Sequence, residues 1–215
     1  IILVIMLCML PLIAYIFFDK IGGNFRGSPD QLEANISKSA KELIASAFRD
    51  IPLQSLRDHH GHVVGLDQEM GTSIHPKLLQ WSHPIHRVKT NVYLSGAKVS
   101  DLAQANEQYV ERFVALIRAI KGHGKYHVLA FDHHYTKDGS VNLDKSEFYT
   151  SNEYVFGLAK AYPDIFVPVM SVHPYRKDAL EEVKKWADMG GKWIKWLPNA
   201  HGIDASEPML DDYYQ

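Results

Sequence analysis

The sequence predicts an α/β fold in which parallel strands alternate with crossover helices. Beyond residue 50, short apolar runs and helical periods follow one another as strand, helix, strand, helix, strand, helix, strand. The apolar runs are continuous rather than alternating, as in strands covered on both faces. Each proposed strand also has a histidine at or just beyond its carboxyl end, where α/β folds carry their chemistry.

The elements can be justified in order. Residues 1–18, "IILVIMLCMLPLIAYIFF", hold no charged residue and reach the length of a membrane-spanning helix. No small-residue cleavage site follows, so an uncleaved single-pass anchor is expected rather than a signal peptide. Residues 19–50 read as a juxtamembrane linker followed by one amphipathic helix, with Ser28 as its cap, Pro29 at its first position, and Leu32, Ile36, Leu43, Ile44, Ala47 and Phe48 along one side. Residues 51–215 form the α/β domain. "LQSLRDHHGHVVG" is its first strand, and residues 66–99, with Pro76 and Pro84, read as an irregular surface excursion. "SDLAQANEQYVERFVALIRAIKGHG" is a helix capped by Ser100. "YHVLAF", "SNEYVFGLAKAYPD", "IFVPVMSV", "KDALEEVKKWADMGG" and "KWIKWL" complete the alternation. An open doubly wound sheet and a (β/α)8 barrel both fit. The absence of a G-x-G-x-x-G turn weakens a dinucleotide-binding version of the former.

Composition bounds the function. The 215 residues suffice for one sizeable domain, and a formal net charge of −2 gives no reason to expect a nucleic-acid partner. The only cysteine, Cys8, cannot form a disulfide within the chain. The chain starts at Ile1 and ends on a polar stretch, and only about four βα units are visible, so it is expected to be a piece of a longer protein.

The strand ends supply the candidate site residues. In "RDHHGHVVG", spacing of two in an extended segment puts His60 and His62 on one side with Asp58, and His59 on the other. Two imidazoles side by side make half of a transition-metal site, with Asp58 placed to orient one of them. Gly61 leaves room between them. Asp132 and His134 follow the second strand, His173 the third, and Lys195 lies in the fourth; each is a candidate pocket residue, and each has a structural reading beside it. His75, His83 and His86 read as solvated loop residues, and the tryptophans as packing.

These residues resemble a known family. "DHHGH" is similar to the D-x-H-x-H signature that closes the first strand in the amidohydrolase superfamily. "MSVHPYRKDALEEVKKWADMGGKWIKWLPNAHGIDASEP" and "EFYTSNEYVFGLAKAYPDIFVP" resemble the amidohydrolase-related branch, so the likeness runs over about residues 50–215. The resemblance implies a metal-dependent hydrolase on a (β/α)8 barrel, of which this chain carries the N-terminal half. It implies one or two divalent ions, commonly zinc, with His60 and His62 as paired ligands. It puts the remaining ligands and a catalytic aspartate beyond Gln215, so that this stretch alone is expected to be inactive. The implied chemistry is hydrolysis of a C–N or C–O bond in a small carbonyl compound. A metal-dependent decarboxylase of the same branch is the alternative, and a non-catalytic, membrane-tethered metal-binding module is another. Lys195 corresponds to a position where some members carry a carboxylated lysine, although this branch usually works without it; Lys195 would then contact a substrate carboxylate or serve as an ordinary strand residue. The expected setting is a single-pass anchor with the folded domain on the extracytoplasmic, periplasmic side. Self-association into a homo-oligomer is left open.

Overall fold

The computed structural model describes Pro11 and residues 27–214. The anchor expected over residues 1–18, and the linker as far as Arg26, therefore lie outside the described residues. Among those described, no helix is long and apolar enough to cross a membrane. The fold is mixed α/β and divides into two compact units. One holds the residues up to Ser46 together with Pro76–Ala119, the other Ala47–His75 together with the residues from Ile120 onward.

The first unit is helical. Where the sequence predicts one amphipathic helix there are two, α1 (Pro29–Ala34) and α2 (Lys38–Ala47). Ser28 caps α1 through a reciprocal box with Gln31, and Pro29 occupies the first helical position, as read from the sequence. The break comes from Ser37, whose Oγ accepts the Ala40 N–H at 3.2 Å and starts a new helix. The stretch expected to be irregular contains α3 (Pro84–Gly96). Its buried positions are Thr90 and Ser95, while Ile85 and Tyr93 are exposed, so no apolar stripe announced it. Helix α4 (Ala105–Arg118) matches the expected helix, but Asp101 rather than Ser100 opens it: its carboxylate accepts the Ala103 N–H at 3.0 Å, capping a short 3-10 turn.

The second unit carries the parallel sheet. Strand β1 (Arg57–His62) pairs with β3 (Lys125–Leu129), which pairs with β5 (Phe166–Val169), all parallel and in chain order. Gly124 precedes β3 because a Cβ there would stand 2.0 Å from the Leu56 carbonyl oxygen, closing the gap across which Lys125 N–H reaches that oxygen. The predicted fourth strand is reduced to a single parallel bridge. Ile194 pairs with Met170, held by Met170 N–H to Trp193 C=O and Lys195 N–H to Met170 C=O. A separate antiparallel pair, β2 (Thr72–Ile74) and β4 (Phe148–Thr150), has three residues a side and was too short to be read from the sequence. Helix α5 (Asn152–Ala161), capped by Ser151, packs against β5 and β3, and Val155 and Ile165 are fully buried. Met170, Val172, Ala179 and Trp186 form a second packed cluster with α6 (Ala179–Asp188). A third, of Tyr135, Tyr175, Ile203 and Leu210, lies around α7 (Pro198–His201) and the turn after it.

Burial of the strands differs from expectation at one edge. The interior of β3 is buried, but Arg57, Asp58, His59 and His60 of β1 are all exposed. Among the described residues β1 pairs on one side only, so the coverage implied by its apolar neighbours Val63, Val64 and Leu66 does not extend to its own polar residues.

Candidate functional site

The site begins with an irregularity in β1. Asp58 is in register with Tyr126 and Gly61 with Val128, so His59 and His60 together oppose the single residue His127. This is a β-bulge, and it re-aims side chains on either side of it. His62, in register with Leu129, lies on the face that His127 also occupies, since the two are two residues apart on β3. His59 joins that face and stacks on His127, with ring centroids 4.2 Å apart and an interplanar angle of 28°. Trp193 meets both rings edge-on. The alternation expected for an unbroken strand therefore fails at two residues. His59 does not face away from His62, and Asp58 falls in register with Tyr126 on the opposite face. The Asp58 carboxylate accepts the His60 backbone N–H at 2.8 Å, satisfying a donor that the bulge removes from the ladder. It supports the backbone under the imidazole rather than the imidazole itself. The irregularity lies at His59 and His60, and Gly61 is back in register with Val128.

The bulge leaves His60 and His62 facing one another. Their Nε2 atoms are 2.9 Å apart, with ring centroids at 4.8 Å. One hydrogen bond can span that gap only when one nitrogen is protonated and the other keeps its lone pair. Burial holds the His62 pKa below its ordinary value, and the neighbouring charges of His60 and Lys195 push the same way, so His62 is neutral at pH 7. Two imidazoles on one zinc ion at ~2.0–2.1 Å stand ~3.3 Å apart at the tetrahedral angle, so the pair would open by only a few tenths of an ångström to accept one. The donor chemistry and the separation fit a divalent ion. Among the described residues, however, no group of three or more His, Cys, Asp or Glu side chains converges to complete such a site.

The other candidates divide into two sets. Lys195 belongs with the pair: its backbone N–H is pinned to Met170 C=O at 2.8 Å, and its positive charge acts on His62. Asp132, His134 and His173 belong elsewhere. The Asp132 carboxylate, 3% exposed, accepts the backbone N–H groups of His133 and His173, each at 2.8 Å, and pairs with Arg176 at 3.3 Å. It ties the loop after β3 to the segment after β5. His173 is fully buried; its Nε2–H donates to the His201 carbonyl at 2.9 Å, and its Nδ1 accepts the Tyr175 N–H at 3.1 Å. Both ring nitrogens are used, which fixes the tautomer and leaves none for a ligand. His134 lies against Gly202, where a Cβ would come within 2.3 Å of its Nε2 and where φ is +74°. Burial lowers the pKa of both His134 and His173.

His201 was visible in the sequence as one more strand-end histidine but was assigned no role. It is 1% exposed, its Nδ1 accepts the Leu197 N–H at 3.2 Å, and its Nε2 faces the Asp132 carbonyl without closing a full hydrogen bond. Burial, reinforced by His173 and His134, takes its pKa down to about 4. A histidine followed by a left-handed glycine, Gly202, at the end of a four-residue helix was the available signal for a packed position. A polar cavity of about 190 Å³ opens beside Asp132, lined among others by Tyr149, Asn152, Arg176 and Lys185. Its charges are already matched, Arg176 by Asp132 and Asp178, and Lys185 by Glu153 and Glu182. Neither His60 nor His62 lines it.

In comparisons with known proteins, no family model, no curated protein and no solved structure matches this chain.

Proposed function

We propose that the carboxyl end of β1 is one half of a divalent-metal centre in a hydrolase of the amidohydrolase-related type, tethered to a membrane by residues 1–18 with its folded part on the extracytoplasmic side. The observation that carries this reading is the 2.9 Å approach of the two Nε2 atoms of His60 and His62. The strand order supports the barrel it implies. Strands β1, β3 and β5 and the bridge at Ile194 lie side by side in chain order with no reversal, as in a (β/α)8 barrel and unlike the switch point of a doubly wound sheet.

In this reading His60 and His62 hold the ion, and zinc suits two imidazole nitrogens. The bound ion supplies a polarised carbonyl and a water whose pKa is lowered toward ~7. The chain's own residues do the rest that is assigned here. Burial disfavours the protonated form of His62, which could not bind a metal. Asp58 holds the backbone of His60 through the bulge. Lys195, the cation acting on His62, draws a substrate carboxylate toward the pair. The substrate class is a small carbonyl compound cleaved at C–N or C–O. A second reading, a metal-binding module without catalysis, is favoured by one observation: no third acidic or histidine ligand joins the pair among the described residues.

The test is metal content. The full-length purified protein, equilibrated with Zn²⁺ and dialysed, should hold stoichiometric zinc and lose it in the His60→Ala, His62→Ala double variant. Substoichiometric zinc that is the same in both proteins removes the site. Stoichiometric, histidine-dependent zinc without turnover of amide or ester substrates leaves the binding module.

A further inference from the structure

Helix α2 is amphipathic and buries nothing. At 100° per residue, Ala40, Leu43, Ile44 and Ala47 fall within an arc of ~100°, while Lys38, Glu42 and Ala45 lie on the far side. None of its residues is buried, and Leu43 is 72% exposed and Ile44 49%. A ten-residue helix is too short to be stable on propensity alone in water; its apolar face is normally what packing holds. Something outside the described residues is needed to cover this one.

The sequence indicates what. Residues 1–18 carry no charge, and only 19 residues separate Phe18 from Lys38, so α2 is tethered to whatever holds that segment by no more than roughly 60–70 Å of chain. Lys20 and Arg26 lie between them, Lys41 borders the apolar arc on one side, and Ser39 and Ser46 border it on the other. A helix with a narrow aliphatic face and such a margin is suited to the headgroup–acyl boundary, where a lysine stem reaches past the apolar face to put its ammonium group among phosphates. Four small apolar side chains would bind a bilayer weakly alone. A neighbouring anchor makes the contact intramolecular and raises its effective concentration.

We propose that α2 lies along the surface of a lipid bilayer, with Leu43 and Ile44 in the acyl boundary, Lys41 at the phosphates, and Lys38 and Glu42 in water. This rests on the membrane reading of residues 1–18, and not on the metal centre. It is tested with the full-length chain carrying Cys8→Ser, reconstituted in vesicles of phosphatidylcholine and phosphatidylglycerol. Single nitroxide labels are attached through Leu43→Cys, Ile44→Cys, Ala47→Cys, Lys38→Cys, Glu42→Cys and Ala45→Cys. Labels at the first three positions should be relaxed severalfold more by oxygen than by a water-soluble nickel chelate, and the other three in the opposite sense. Adding Leu43→Glu, or Ile44→Glu, both at exposed positions, should move the Ala47 label into water. If all six labels meet the chelate equally while the protein survives a carbonate wash, the anchor stands and the helix proposal is overturned. Labels at Leu43 and Ile44 shielded from both reagents mean that protein covers the face, a second copy or another segment of this chain, and also overturn it. Loss of the protein in the wash removes the anchor reading and this proposal together.

Discussion

At the carboxyl end of β1, His60 and His62 turn ring nitrogens toward each other; in the segments after β3 and β5, Asp132 and His173 turn their polar atoms toward backbone. Both regions offered the same sequence signal, histidine with aspartate at the end of an apolar run. The difference lies in what the ring nitrogens meet. Around His173 both meet main-chain groups, in a fully buried setting. At β1 the Nε2 atoms of His60 and His62 meet each other, and the bulge satisfies its displaced N–H through the Asp58 carboxylate. A histidine whose two nitrogens both serve backbone groups is a strut. Two histidines whose Nε2 atoms meet bring two nitrogen donors to one point, as a metal ion requires.

This contrast is sharpest in stability. Asp132→Ala strands the His133 and His173 N–H groups and leaves Arg176 without one of its partners, and should cost about 3 kcal/mol in urea unfolding. A loss below ~1 kcal/mol would move Asp132 out of the structural set. Next comes pH. The folded state holds His201 neutral down to about 4, whereas an unfolded histidine takes up a proton near ~6.5, so the unfolded state binds more protons between these values. Stability contributed by this residue is complete above pH 6.5 and is lost as pH falls toward 4. Denaturation should show a decrease of about 2 kcal/mol from pH 6.5 to 5, with His173 and His134 adding in the same direction, and the slope should shrink in His201→Gln. A flat profile would contradict the neutral burial described for His201.

Gly202→Ala combines a left-handed backbone with a collision against His134, and should cost about 1–2 kcal/mol by thermal unfolding. The smallest expected change in stability is the one that tests the other side of the comparison. His60→Ala, at an exposed position, should alter unfolding by no more than ~0.5 kcal/mol. The same substitution should weaken zinc binding at least about tenfold in a competitive chelator titration, or ~1.4 kcal/mol. If His60→Ala destabilises as much as Asp132→Ala without affecting zinc, the distinction between strut and available pair collapses.

The parallel strands β1, β3 and β5 and the helices α4, α5 and α6 were legible because their apolar periods and caps agree with the fold. Helix α3 was not, because threonine and serine are the residues it buries. The break between α1 and α2 depends on one serine hydroxyl that is equally at home within a helix. For the site, a spacing of two brought His60 and His62 forward correctly as neighbours. It failed for Asp58 and His59 because strand alternation presumes an uninterrupted ladder, and the sequence carries no mark of the bulge beyond a nearby glycine. His173 looked like a pocket residue since nothing local reveals that the His201 carbonyl and the Tyr175 N–H occupy both its nitrogens.

The extra residue in β1 behaves as a phase shift. Downstream of it, Gly61 and His62 keep step with Val128 and Leu129; upstream, Arg57 and Asp58 keep step with Lys125 and Tyr126, but the count between the two halves differs by one. Shortening the stretch between Asp58 and Gly61 by one residue would restore ordinary pleating and would not move His62. The one histidine left would oppose His127 and still stand two residues before His62, so the spacing of two survives and only the extra ring beside His127 is lost. A one-residue deletion there therefore separates what the added residue contributes from what the spacing alone supplies.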